Sequence, residues 1–455
     1  MKLAVLPAVA VAIGLMASGA RAQPPSIDGD WDGALTVPAG IKVPLTLHIT
    51  PAGATMDSPD QGARGVPVQL SRKGGEVDVD LPASKAHFAG RLAADGKTMS
   101  GPFTQGGMAM QASFTLRAPG AAPPERPRPQ TPRPPFSYLT DDVTFPGGGG
   151  TLLAGTLSRP KGPGPFPAVV MIAGSGPQNR DETIDGHKLF LVIADRLTRE
   201  GVAVLRYDKR GVGQSKGDYR TATQADFTAD AAAAFVWLRR QPGINPRKVG
   251  LIGHSEGAEI APKVADAGPG VAFLVLLSTP ALPGVETIVD QQRDIALASG
   301  APPATEAAAS QLERQVLDAD RAAPTPDAAR TAVERILVDY GMPAARAAAQ
   351  AAEIASPWYR AFLDDDPAPA LRKLTGPVLV IAGSKDLQVS PAANLPVIRA
   401  ALAHDPQAKI VELPGLNHLL QPAKTGTPQE YGQIETTIAP QALDLIAGWV
   451  AAQGR

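Results

Sequence analysis

Between residues 27 and 116 apolar and polar positions alternate in short runs, as in Val43-Pro44-Leu45-Thr46-Leu47-His48-Ile49 and Glu76-Val77-Asp78-Val79-Asp80-Leu81. A period of two sends successive side chains to opposite faces of a strand. Gly, Pro and Asp cut these runs at short intervals and no helical stretch intervenes, so residues 23–117 are expected to form a small all-β domain. Trp31, Phe88 and Phe103 are assigned to its core. Residues 118–135, APGAAPPERPRPQTPRPP, then break every pattern. So much proline favours an extended spacer, and Arg126, Arg128 and Arg133 are read as charges of a solvated linker.

Beyond the linker the pattern changes. Residues 143–157 read as two strands around Gly147-Gly148-Gly149-Gly150, and compact apolar runs follow at 168–172, 202–207, 249–252 and 273–277. Leu189, Phe190, Ile193, Ala194 and Leu197 share one face of a helix, and residues 231–238 are strong helix formers. Strand and helix in alternation imply a mostly parallel sheet covered on both faces, an α/β architecture over 136–455. Residues 284–366, rich in Ala, Gln, Glu and Arg at helical spacing, interrupt the alternation before strands resume at 378–381 and 409–413. An insertion between late strands sits where ligands bind in such sheets, so it is read as a helical cap.

Composition narrows the function. The net charge of -1 supplies no field to draw nucleic acid or anionic lipid. The chain has no cysteine, which excludes disulfides, thiol catalysis and Cys-ligated metal. Lys2, the apolar run 3–16 and Ala20-Arg21-Ala22 form the pattern of a secretory signal peptide over 1–22, predicting export to the periplasm or the exterior. No later stretch is apolar and long enough to span a membrane.

The chemistry lies after the linker. Gly253-His254-Ser255-Glu256-Gly257 matches G-x-S-x-G, in which a sharp strand-to-helix turn offers a serine hydroxyl to a base. Gly213-Gln214-Ser215-Lys216-Gly217 matches it too, but polar Asp208-Lys209-Arg210 separates that serine from its strand and no helix follows directly. Ser255 is therefore the expected nucleophile and Ser215 a loop residue. Asp386 and His418 each follow a predicted strand end, in the chain order the turn requires, as the orienting acid and the base. The backbone N–H of Glu256 and that of Ser175, in Ala173-Gly174-Ser175-Gly176-Pro177, are the expected oxyanion donors. No two histidines stand at metal-ligand spacing, so neither metal nor cofactor is expected. His254 is expected to lie beside the turn. Trp358 and Tyr359 are placed on the acyl pocket.

Together these segments resemble bacterial α/β-hydrolase-fold carboxylesterases close to the serine aminopeptidase-like hydrolases. The resemblance runs from about residue 138 to the C-terminus. It rests on Gly174-Ser175-Gly176-Pro177 with Arg180-Asp181, Arg206-Tyr207-Asp208-Lys209-Arg210-Gly211 and the Ser255 turn. Further along it takes in Ser356-Pro357-Trp358-Tyr359-Arg360, Gly383-Ser384-Lys385-Asp386 with Gln388-Val389, and Asn417-His418-Leu419 before Glu430-Tyr431. It implies a Ser-His-Asp esterase acting on a small-molecule ester with a short acyl chain. A peptidase is the alternative, if an acidic residue of the cap, such as Asp364-Asp365-Asp366, grips a substrate amine. A non-catalytic binding protein on the same fold is a third reading, against which the complete triad argues.

Overall fold

The computed structural model describes residues 26–36, 42–58, 63–105, 108–121, 126–268 and 270–454. The signal-peptide reading of 1–22 lies outside them. The chain divides into two compact units, Met1–Pro124 and Glu125–Arg455.

The first unit is a closed barrel of eight antiparallel strands. They are β1 (Gly29–Thr36), β2 (Lys42–Thr50), β3 (Gly53–Ser58), β4 (Ala63–Lys73), β5 (Glu76–Leu81), β6 (Ala86–Leu92), β7 (Thr98–Gln105) and β8 (Met108–Leu116). Closure comes from β1 pairing with both β2 and β8, which removes the sheet's free edges. The alternation turns Val77, Val79 and Leu81 inward, and Trp31, Phe88 and Phe103 are buried with Phe114 and Met99 in one cluster. Side chains fill this interior, as expected for a barrel of this strand number. The Trp31 indole, fully enclosed, donates to Ile27 O at 2.9 Å.

The second unit has the α/β-hydrolase fold. It begins with β9 (Leu139–Pro146), β10 (Leu152–Arg159) and β11 (Phe166–Ile172), then a short ladder of β12 (Thr183–Ile184) and β13 (His187–Lys188). Next come α1 (Leu189–Arg199), β14 (Ala203–Tyr207), α2 (Gln224–Leu238), β15 (Ile244–His254), α3 (Glu256–Asp266) and β16 (Leu274–Leu277). The insertion supplies α4 (Gly284–Ala298), α5 (Pro303–Ala322), α6 (Pro326–Asp339), α7 (Ala344–Ile354) and α8 (Pro357–Leu363). The chain ends with α9 (Ala368–Arg372), β17 (Val378–Gly383), α10 (Pro391–Ala401), β18 (Ala408–Leu413) and α11 (Pro440–Gln453). The large sheet runs β18-β17-β16-β15-β11-β14-β10-β9. From β14 to β18 it is parallel, and only β10 and β9 are antiparallel.

Both faces of the sheet are covered, which explains why its strands read as unbroken apolar runs. One face carries α2, α3 and α10 over Val170, Leu205, Leu251 and Val380. The other carries α1 and α11 over Met171, Val204, Ile252 and Leu379. The cap helices keep a separate core of Val285, Val316, Leu317, Val333 and Leu337.

The linker differs from its sequence reading. Residues 126–135 belong to the second unit, and Arg128 is not a solvated charge. Its guanidinium donates to Ile434 O (2.7 Å), Gly432 O (2.9 Å) and Asp185 O (2.8 Å). Gln130 donates to Ile438 O (2.9 Å) and accepts from the Thr437 N–H (2.7 Å) and the Ile438 N–H (3.0 Å). The segment after β18 lacks ladder partners, and these two side chains, rich in donors and acceptors, satisfy its backbone. A chain beginning at Arg126 should therefore fold and keep its turnover, while one beginning at Phe136 should be less stable by several kcal/mol and melt at a lower temperature. Each hydrogen bond to a charged group is worth about 1.5–3 kcal/mol. Comparing the thermal melts of the two truncations checks this, and equal melting temperatures would contradict it.

His187 closes the same region. Its Nε2–H donates to Tyr431 O at 2.9 Å and its Nδ1 accepts from the Thr437 hydroxyl at 3.0 Å. Burial, helped by the nearby Arg128 charge, pushes its pKa from the ordinary 6.5 down to about 4. Above pH 6.5 the ring is neutral in both folded and unfolded chains. Between 6.5 and about 4 only the unfolded chain takes up the proton, so stability falls as pH falls through that window. The full effect is about 3 kcal/mol. His187→Gln should lose about that much less stability than the parent between pH 7 and 4, read from melting temperatures along the pH series.

Candidate active site

The centre of the site is the turn between β15 and α3. Ser255 sits at φ +54°, ψ −121°, a region costly for any residue with a side chain. Two glycines make the turn possible. A Cβ on Gly253 would lie 2.1 Å from Gly257 O, and one on Gly257 would lie 1.9 Å from Ile172 O. The Ser255 N–H donates to Leu277 O at 2.9 Å, pinning the turn to the end of β16. Ser255 is partly exposed, whereas residues 251–254 and 256–260 on either side are buried.

Asp386 follows β17 and His418 follows β18, at the same sheet edge as Ser255. His418 Nδ1 lies 2.9 Å from Asp386 Oδ2 and 3.1 Å from Oδ1. Asp386 Oδ1 also accepts from the N–H groups of Gln388 (2.9 Å) and Val389 (2.8 Å), which fixes the carboxylate. Asn417 holds the base loop through Leu419 N–H and Gln421 N–H. The Ser278 hydroxyl (2.8 Å) and His254 Nε2 (3.0 Å) both bond the His418 carbonyl. Among the described residues Ser255 Oγ has no hydrogen-bond partner. The Asp386–His418 pair is formed, and no hydrogen bond joins Ser255 Oγ to the imidazole.

The loop after β11 reaches the serine directly. A Cβ on Gly174 would stand 3.2 Å from Ser255 Cβ. Two buried ion pairs hold this loop. Glu182 Oε1 accepts from the Gly174 N–H at 2.7 Å and from His254 Nδ1 at 2.9 Å. Both nitrogens of His254 meet acceptors, so the ring carries both protons. Burial opposes that charge, but Glu182, the His418 carbonyl and Asp386 outweigh it and hold the His254 pKa above its ordinary value. Lys209, from the loop after β14, donates to Gly174 O at 2.7 Å and to Glu256 Oε2 at 2.7 Å. Neither the Ser175 N–H nor the Glu256 N–H has an acceptor among the described residues.

Sequence reasoning missed Glu182 and Lys209. Lys209 lies within a motif that carries the resemblance and Glu182 directly follows another, but neither motif says which distant atoms these side chains bind. The charged motif residues pair with partners on other segments. Arg180 binds Asp208 (Nη2–Oδ2 2.8 Å), Arg206 binds Asp181, and Arg210 binds Asp230 (Nε–Oδ2 2.7 Å) and Asp226 (Nη1–Oδ1 2.9 Å).

Ser215 stands apart from this centre. Its buried hydroxyl donates to Asp208 O at 2.7 Å and accepts from the Ala154 N–H at 2.9 Å, fastening a loop to β10. Trp358 comes close to the turn, its indole donating to Glu256 Oε1 at 2.6 Å while its ring stacks 5.3 Å from Phe362. Tyr359 packs with the cap core, where burial and the nearby Glu313, Glu353 and Asp320 raise its phenol pKa. The acidic run is spent on the protein itself. Asp364 pairs with Arg321 (2.9 Å), Asp365 with Lys263 (2.7 Å), and Asp366 accepts from the Ala368 N–H (3.0 Å). Among the described residues no three His, Asp or Glu side chains converge as metal ligands.

A parallel sheet with a serine at the sharp turn after a central strand defines an α/β-hydrolase, and comparison with known proteins places it further. Residues 149–407, more than half of the chain, match the family described as X-Pro dipeptidyl-peptidase (S15 family), and the chain belongs to that hydrolase family. It is 30% identical over 320 residues to the Esterase EstD of Thermotoga maritima, covering 70% of this chain and 68% of the relative. A thiohydrolase of Arthrinium phaeospermum is 28% identical over 149 residues, 32% of this chain and 45% of that one. Among solved structures, a Pyrococcus furiosus esterase aligns at 15% identity and TM-score 0.43 over 70% of this chain and 92% of its own.

The two serines predict opposite phenotypes. Ser255→Ala should fold normally and lose ester hydrolysis by several orders of magnitude. Ser215→Ala should keep most turnover but melt lower, since it strands the buried Ala154 N–H at a cost of about 1–3 kcal/mol. Turnover and melting curves on both variants decide it, and an inactive Ser215→Ala beside an active Ser255→Ala would reverse the assignment.

Proposed function

We propose that the protein is an exported serine esterase that cleaves short-chain carboxylic esters through Ser255, His418 and Asp386. The observation that carries this reading is the set of groups at one sheet edge: a strained serine, a buried Asp386–His418 pair at 2.9 Å, and two unused backbone N–H groups. Ser255 Oγ attacks the ester carbonyl as His418 Nε2 takes its proton. The negative oxygen that forms is met by the N–H groups of Glu256 and Ser175. The intermediate collapses to an acyl-serine as the imidazolium returns the proton to the departing alcohol. Water then repeats the sequence and frees the acid. Asp386 holds the imidazole tautomer and stabilises its charged form. Export rests on the pattern of residues 1–22.

The family description favours a second reading, cleavage of a peptide bond after an X-Pro dipeptide. Such a substrate presents a cationic amino terminus that needs a free carboxylate. In the cap's acidic run the three carboxylates already meet Arg321, Lys263 and a helix start, and only the partly buried Asp365 is held firmly, which speaks against a dedicated amine site there. An ester makes no such demand. Trp358 is assigned to the near wall of the acyl pocket, where its indole bond to Glu256 holds it beside the nucleophile's neighbour.

The purified protein should hydrolyse p-nitrophenyl acetate and butyrate with kcat/KM at least about 100-fold above that for X-Pro p-nitroanilides, two powers of ten being about 2.7 kcal/mol of discrimination. Trp358→Ala should reorder the preference among acyl lengths. A higher kcat/KM on the X-Pro anilide would replace the ester reading with the peptidase one. A uniform loss across esters with a lower melting temperature would restrict Trp358 to anchoring the cap.

A further inference from the structure

The Gly174–Ser175 peptide is gripped at the atoms that set its orientation. Its carbonyl oxygen accepts from Lys209 Nζ at 2.7 Å, and the preceding N–H, that of Gly174, donates to Glu182 Oε1 at 2.7 Å. The bond is trans, the cis peptides among the described residues being Pro134–Pro135 and Gly164–Pro165. In a trans peptide the C=O of one residue and the N–H of the next point in opposite directions across a rigid plane. A donor fixed on Gly174 O therefore fixes where the Ser175 N–H points.

Lys209 makes a second connection. Its ammonium donates to Glu256 Oε2 at 2.7 Å, and its remaining side faces the Phe227 ring at 4.4 Å. The other oxygen of Glu256 accepts from the Trp358 indole at 2.6 Å, so the carboxylate has both oxygens engaged. Glu256 is also the residue whose backbone N–H stands first in α3. One ammonium thus holds the peptide that carries the Ser175 N–H and the side chain of the residue whose own N–H is the other unused donor.

We propose that Lys209 is the positioning residue of the oxyanion hole, orienting the Ser175 N–H through the Gly174 carbonyl and locking it to the Glu256 donor through their salt bridge. The proposal rests on the serine-hydrolase reading above. An ammonium on the Gly174 carbonyl also polarises that amide and strengthens the Ser175 N–H as a donor, since hydrogen bonds in a chain reinforce one another. The burial of the pair argues for such a role. Lys209 is 4% exposed and Glu256 2%, and a packed apolar pair would fill the same space without the desolvation cost. Its direction is also informative. A merely structural pair need not end on the one carbonyl whose plane carries an oxyanion donor.

The test is Lys209→Met, with Lys209→Met/Glu256→Gln as the variant that leaves no unpaired buried charge if the single change fails to fold. Each is compared with the parent on p-nitrophenyl butyrate, and on two inhibitors of matched size. One is a trifluoromethyl ketone, whose adduct with the serine places a negative oxygen in the hole; the other is the corresponding unreactive alcohol. Oxyanion positioning predicts that kcat and ketone affinity fall together by about 10²–10³. KM and alcohol affinity should stay within about threefold, a split that distinguishes transition-state from ground-state binding. A kcat within about threefold of the parent in a folded variant overturns the assignment. So does an equal loss of ketone and alcohol affinity, which would mark general damage to the pocket. Labelling of the parent by a fluorophosphonate, located by mass spectrometry, separates the two levels of failure. An unlabelled Ser255 overturns the serine-hydrolase reading and the Lys209 assignment with it, whereas a labelled Ser255 beside an unaffected variant overturns Lys209 alone.

Discussion

The backbone of Gly257 lies so close to the end of β11 that a Cβ there would stand 1.9 Å from Ile172 O, and the geometry of the site follows from that approach. With α3 drawn against β11, the chain leaving β15 has one residue in which to reverse into the helix. Ser255 takes up the strain, at φ +54°. A conformation of this kind costs on the order of 1–3 kcal/mol. The apolar sheet core around β11, β15 and β16 offsets it by excluding any relaxed alternative. The same turn places the first N–H of α3 beside the serine, at the helix end where the backbone dipole favours negative charge.

Around this turn the loops are held by charge more than by apolar packing. Glu182–His254 joins the β11 loop to the Ser255 turn and, through His254 Nε2, to the His418 carbonyl. Lys209–Glu256 joins the β14 loop to the same turn. Arg180–Asp208 and Arg206–Asp181 cross between the β11 and β14 segments. Buried pairs of this kind add little net stability, because desolvation cancels much of the attraction, but losing one partner costs about 3–5 kcal/mol. Their effect is to penalise every arrangement except the one in which all partners meet. That suits loops that must keep Gly174, Ser255 and His418 in register without secondary structure of their own.

What could be read in the sequence depended on whether a signal was local. The apolar runs at 168–172, 249–252 and 378–381 became β11, β15 and β17, because strands buried on both faces have no polar period to disguise them. The turn at Ser255 was legible because its glycines stand four residues apart in the chain, and the Asp386–His418 pairing because each follows a strand. Barrel closure was not legible. Alternation gives the inward face of β1 and β8 but not that Trp31 pairs with Leu116. The Arg128 clasp was lost for the same reason: its partner carbonyls at Gly432 and Ile434 are some three hundred residues away. Glu182, Lys209 and the indole of Trp358 meet the turn across separations of 47 to 102 residues, so the motifs around them did not reveal which atoms they would bind.

The cap shows how such a core accepts a large insertion. It enters at Gly284 and leaves at Asp365, and those two points are hydrogen-bonded to each other, Gly284 N–H to Asp365 O at 3.0 Å. A Cβ on Gly284 would lie 2.0 Å from Phe362 O, so the two ends are as close as backbones allow. The strands on either side, β16 and β17, are still hydrogen-bonded neighbours. Closing a loop costs only slowly more as it lengthens, so an excursion whose ends already touch places little burden on the sheet. Its own core then stabilises it independently. What it returns to the site is narrow: the Trp358–Glu256 bond and the Lys263–Asp365 pair. Apart from these two contacts, the Ser255 turn and the His418 loop are fixed by bonds within the sheet and its loops. The cap thus meets the Ser255 turn at few points, while the geometry of Ser255, His418 and the Glu256 N–H is set beneath it by the sheet and its loops.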